Sequence, residues 1–212
     1  MEKNNDLHWR FINLWNDIGA TTNATKVFNK IVDKYSEAHR RYHVVPHLRH
    51  GFSKLDLVPF SIPNRDCIEY GFWNHDWEYN TRRHDNEVVS ADHAEQEAIE
   101  ARLPKSFIVN SRRLIMSTIH NYLPKREDEK YIVDIDLAIL GESLEVFDQY
   151  ELDIRMEYEW VDELLYVRER SKILEQFLNR PRIYSTDFFF ELYERTAREN
   201  LKRSISKLRG VK

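Results

Sequence analysis

None of the five glycines in this chain follows an asparagine or an aspartate, and only six prolines interrupt it. The tight turns that join hairpin strands are therefore missing, and the stretches between breakers carry helical spacing instead. Leu7, Phe11, Leu14, Trp15 and Ile18 lie on one stripe, stopped by Gly19. Thr22 or Asn23 suits the cap of a second helix, in which Val27, Ile31, Val32 and Tyr35 recur. Pro46 suits the first turn of a short helix reaching Leu57, and Pro59 and Pro63 then break the chain. Further helices are predicted from Asn64 to the His75-Asp76 pair, from Asp85 or Asn86 to Leu103, from Ser106 to Asn121, and from Ile132 to Leu140 before Gly141. Residues 80–85 and 124–130 read as loops. The last third reads as long helices over about 143–159, 161–179 and 187–208.

The pattern predicts an all-α chain: a single helical bundle over 1–212, with a core at about 22–160 and a C-terminal helical extension at about 161–208. Leu192, Tyr193, Ala197 and Leu201 suit packing on the domain or on a partner chain, which leaves a homodimer open.

At 212 residues, one domain is the simplest expectation. With 42% hydrophobic and 32% charged residues the profile is that of a soluble globular protein. The net charge is −4 and no basic stripe stands out, which disfavours extended nucleic acid but not a small phosphorylated molecule. No run approaches the roughly 18 apolar residues of a spanning helix. Met1 to Asp6 is polar, unlike a leader peptide. No membrane partner is expected, and the cytoplasm follows by default. The single cysteine, Cys67, reads as a buried structural thiol.

Histidine and aspartate recur in four places: His43 and His47 four apart, the adjacent His75-Asp76, His120, and Asp134 with Asp136 among apolar neighbours. Neutral imidazole and carboxylate together suit divalent ions of hard or borderline character. Without a thiolate cluster, structural zinc of the finger type is improbable. A buried, unpaired aspartate costs several kcal/mol, which a cation beside it removes. The plainer alternative is a set of hydrogen-bonded core histidines, with Asp134 and Asp136 serving as a helix cap and a solvated face.

The ordered series His47, His75-Asp76, Asp136 resembles the HD superfamily of metal-dependent phosphohydrolases. Arg41-Tyr42-His43-x-x-x-His47-Leu48 resembles its first-ligand helix. Trp73-Asn74-His75-Asp76-x-x-Tyr79 and Asp85-Asn86-Glu87-x-x-Ser90-Ala91 resemble the second block of one HD subfamily, and Asp134 to Gly141 resembles its distal-aspartate block. The likeness continues through Ile154-Arg155-x-Glu157-Tyr158, Ile173-Leu174-x-x-Phe177-Leu178 and Ala197-Arg198-x-Asn200-Leu201, over nearly the whole chain. One departure is Asn74, where the block commonly carries an aromatic residue before His-Asp.

The resemblance implies one divalent ion (Mn, Mg, Co, Ni, Fe or Zn) held by His47, His75, Asp76 and Asp136. It makes Asp76 and Glu87 the catalytic carboxylates, with Glu87 orienting or deprotonating the attacking water; alternatively, Glu87 only complements a helix dipole. His120 suits a donor to the leaving phosphate, a ligand of a second metal, or a core histidine. His43 is placed to hydrogen-bond a ligand from behind. Arg41, Arg112, Arg155 and Arg168 are candidate phosphate-binding cations, Arg155 foremost. Tyr158 suits either a base or sugar, or a helix crossing. The function implied is hydrolysis of a phosphoester or phosphoanhydride of a small molecule, a nucleotide being the leading candidate. The alternatives are a degenerate HD domain that binds nucleotide or metal, and a helical interaction protein.

Overall fold

A computed structural model describes residues 5–210; the polar start at Met1–Asn4 lies outside them. Among these residues the regular structure is entirely helical: α1 (Asn5–Asp17), α2 (Ala24–Lys34), α3 (Val45–Leu55), α4 (Arg65–Asn74), α5 (Asn86–Glu100), α6 (Lys105–Ser117), α7 (Glu127–Leu137), a 3-10 turn (Ala138–Gly141), α8 (Leu144–Glu157), α9 (Glu163–Leu178) and α10 (Asp187–Leu208). The chain divides into two compact units, one up to Val133 and one from Asp134 on, the division falling within α7. No helix is long and apolar enough to cross a membrane among the described residues.

In the first unit α4 is the central element and packs against α1, α3, α5 and α6. It buries residues all round, from Cys67 and Ile68 to Phe72, Trp73 and Asn74. Each large apolar side chain so buried contributes about 1.5–3 kcal/mol. Asn23 caps α2 by accepting from the Lys26 N–H at 2.8 Å. The stripe of α1 closes the aromatic core: Phe11 stacks on Trp15 and meets Trp73 edge-on. The Cys67 thiol is buried, and burial pushes it up to about 11. At Gly51 a Cβ would stand 2.1 Å from the Phe72 ring, so α3 and α4 meet more closely there than any other residue allows.

The first boundary to depart from expectation is α7, which starts at Glu127 inside the stretch read as a loop. The Glu129 carboxylate accepts from the Lys125 and Arg126 N–H groups at 3.1 Å, and Arg113 of α6 ties down both Asp128 and Glu129. A charged stretch is thus turned into a capped helix start. The second is α6, which ends at Ser117 rather than near Asn121, and His120 beyond it adopts a left-handed φ of 59°.

In the second unit, Phe189, Tyr193, Ala197 and Leu201 of α10 are buried, and the helix packs against α9 and the 3-10 turn. Leu192 is 50% exposed, because one residue off the 193–197–201 stripe it is turned about 100° away. Arg198 closes the α9–α10 corner by donating to the carbonyls of Leu178, Arg180 and Pro181. Asp134 is fully buried and accepts from the Ser185 and Thr186 N–H groups and from the Thr186 hydroxyl. Burial raises its carboxyl to about 6 although those three bonds pull the other way. It is therefore neither a helix cap nor a solvated group.

Candidate metal centre

His47 lies in the first turn of α3, behind Pro46, and is buried. His75 is the residue on which α4 ends, with Asp76 following at once. Because α3 packs on α4 at Gly51 and Phe72, the two helix ends bring these side chains together. His47 Nε2 and His75 Nε2 are 3.1 Å apart. Asp76 Oδ2 lies 2.9 Å from His75 Nε2 and 3.6 Å from His47 Nε2.

The back of each ring sets which nitrogen faces inward. His75 Nδ1 lies 2.8 Å from the Phe72 carbonyl, which can only accept, so Nδ1 carries the proton and a neutral ring turns its Nε2 lone pair to Asp76. His47 Nδ1 lies 3.2 Å from Tyr42 Oη, a partner able to take the same role. With the His47 proton on Nδ1 as well, three electron-rich atoms meet at one point, an arrangement that a cation between them would satisfy. Donors about 2.1 Å from a metal and at right angles to one another stand about 3 Å apart, and the observed spacings match. The donor set fits a divalent ion.

The electrostatics agree. Burial alone would raise the Asp76 carboxyl; wherever the facing His75, His43 and His47 rings take up protons their charge outweighs it, holding the group well below the usual carboxylate range. His43 stacks on Tyr79 at 3.9 Å and meets His47 edge-on.

Glu87 stands in the first turn of α5. Ser90, on the same face one turn later, accepts from the Glu78 N–H at 3.0 Å and so ties α5 to the segment just after Asp76. Asn80 and Asn86 close the intervening loop by exchanging hydrogen bonds. Burial, and then the charge of Asp76, raise the Glu87 carboxyl, while His120 and His75 pull it down. Glu87 therefore lies within electrostatic reach of Asp76, His120 and His75. Asn74, at the departure noted above, is buried and donates back to the Tyr70 carbonyl at 2.9 Å, so it closes its own helix without meeting the ligands.

The expected arginines are engaged elsewhere. Arg41 is exposed and donates to the Ala38 and Arg40 carbonyls. Arg112 pairs with Asp92 and Glu95, and Arg168 with Glu169. Arg155 donates to the Tyr158 and Val161 carbonyls and to Glu163, closing the α8–α9 corner of the second unit, where Tyr158 ends α8. Asp136 is half-buried on the last turn of α7, in the second unit's part of that helix. The residue that sequence reasoning missed is Arg40, whose side chain is fully buried and which donates to the Asp76 and Trp77 carbonyls. Its signal was at most its place beside the first histidine block.

No protein-family model, curated protein or solved structure matches this chain.

Proposed function

We propose that this chain is a metal-dependent phosphohydrolase of the HD type, acting on a phosphoester or phosphoanhydride of a small molecule, with a nucleotide the leading candidate. The observation that carries the reading is the convergence of His47 Nε2, His75 Nε2 and Asp76 Oδ2 within 3.6 Å. Asp136 is the fourth ligand in this reading. Its support is the resemblance of the Asp134–Gly141 stretch to the distal-aspartate block.

A divalent ion bound here would lower the pKa of a water and neutralise charge on the phosphoryl group. The chain's own residues do the rest. His75 is oriented by the Phe72 carbonyl, so its ring does not have to turn when a ligand arrives. Glu87, whose carboxyl is pushed up by burial and then by the charge of Asp76, is the group that takes the proton of the attacking water. His120 is the candidate donor to the leaving oxygen.

The test is metal analysis of the purified chain, coupled to a phosphoester and nucleotide hydrolysis screen with Mn, Mg, Co and Ni. Stoichiometric metal and turnover, both lost in Asp76→Ala, support the proposal. Turnover unchanged in Asp76→Ala sinks it. Metal retained without turnover on any substrate favours a binding module.

A further inference from the structure

No part of the Arg40 side chain reaches solvent. Its Nη1 donates to the Asp76 carbonyl at 2.7 Å and to the His43 carbonyl at 3.4 Å, and its Nη2 donates to the Trp77 carbonyl at 2.8 Å. Nε and Nη2 both engage the Glu37 carboxylate, which offsets the cost of the buried charge. The guanidinium also lies near the rings of Tyr35 and Tyr79, at 5.2 and 5.7 Å. Tyr35 completes the arrangement from the other side, its Oη accepting from the Asp76 N–H at 3.2 Å.

Both main-chain polar groups of Asp76 are thus held, one by Tyr35 and one by Arg40. Helix α4 has ended at Asn74, so the carbonyls beyond it need donors from elsewhere, and a cation is favoured at a helix C-terminus. The same guanidinium reaches the carbonyl of His43, one turn before His47. Four carbonyl and carboxylate partners in a planar fork suit arginine, whereas lysine offers its donors from a single point.

We propose that Arg40, with Tyr35, is the positioning residue of this centre: it clamps the Asp76 main chain so that the carboxylate is presented to His47 and His75. The inference rests on the metal reading above. Arg198 supplies the matched control. It also closes a helix end through three carbonyls, but in the second unit and on none of the proposed ligands.

The experiment uses the full chain, stripped of metal by a chelator and titrated with Mn(II), with the visible spectrum of the Co(II) form and the thermal midpoint recorded in parallel. Arg40→Lys should weaken Mn(II) binding about 10–100-fold and shift the Co(II) bands. Tyr35→Phe, which keeps the ring, should weaken binding less and leave the midpoint near that of wild type. Arg198→Lys should leave both Kd and spectrum unchanged. Should Arg40→Lys fail to fold, Tyr35→Phe decides. The inference is overturned if Tyr35→Phe and any folded Arg40→Lys bind as wild type does, or if Arg198→Lys weakens binding as much as Arg40→Lys. A wild-type chain that takes up neither ion overturns the metal reading itself, and Arg40's role with it.

Discussion

His75 Nδ1–H donates to the Phe72 carbonyl at 2.8 Å, and that bond turns the other nitrogen of the ring toward Asp76. A ligand aimed in advance binds without loss of ring freedom, and a bound ion should then stabilise the folded chain. At a free metal concentration of 100 Kd the gain is about 2.7 kcal/mol. For a chain of this size that raises the midpoint by about 5–10 °C over the chelated protein. Calorimetry with and without chelator measures the gap, which should close in His75→Ala. A gap that survives there would place the ion elsewhere.

Glu87 should separate binding from turnover. Glu87→Gln keeps the side-chain shape and removes the proton acceptor, so metal content should hold while kcat falls about 10²–10⁴-fold. Full turnover in that variant would leave Glu87 with no more than the start of α5 to serve.

Acid should weaken the first unit through His93. Its ring stacks on Trp77 at 3.7 Å. Burial, and then the charges of Lys30 and Lys34, hold its pKa down to about 4 from an ordinary 6.5, with Glu100 pulling weakly upward and Glu97 3.8 Å away. The unfolded chain therefore takes a proton at His93 near pH 6.5 and the folded chain only near pH 4. The stability this group contributes is whole above pH 6.5 and is lost progressively as pH falls to 4. Urea melts across that range should show a shallower loss for His93→Gln than for wild type. Equal slopes would show that His93 charges as easily in the folded chain.

The helices were legible because their ends are marked by residue type. Asn23 caps α2, and Pro46 and Pro104 sit at the starts of α3 and α6. The start of α7 was not, because its cap comes from a glutamate inside the helix, held by Arg113 far away in sequence. His47, His75 and Asp76 could be singled out by the resemblance of their order and surrounding blocks, since a His-Asp pair alone arises often by chance in a chain with nine histidines. The choice between Arg40 and Arg41 could not. Both sit in a non-helical turn, where adjacent side chains diverge, and only the fold shows which one turns inward. Arg155 stood out by motif, yet the corner it closes is invisible until α8 and α9 are laid side by side.

Asp134 is a stability residue of the second unit. Asp134→Ala would orphan the buried N–H and hydroxyl of Thr186 and the part-buried N–H of Ser185, at a cost on the order of 3–5 kcal/mol. Asp134→Asn keeps one acceptor and should fall between. Chemical denaturation reads both, and an alanine variant as stable as wild type would contradict the hydrogen bonding found here.

Gly51 carries the last prediction. The Phe72 ring that a Cβ would strike is itself stacked on His75 at 4.5 Å and packed against Phe52, so it has little room to yield. Gly51→Ala should therefore cost about 1–3 kcal/mol by overpacking, despite the helix-forming gain of alanine, and should weaken metal binding by separating α3 from α4. Gly51→Ala combined with Phe72→Leu should recover part of both. Lineages descended from this chain could then exchange the two residues only as a pair. A saturation scan should show positions 51 and 72 as genetically linked, though neither is one of the proposed ligands.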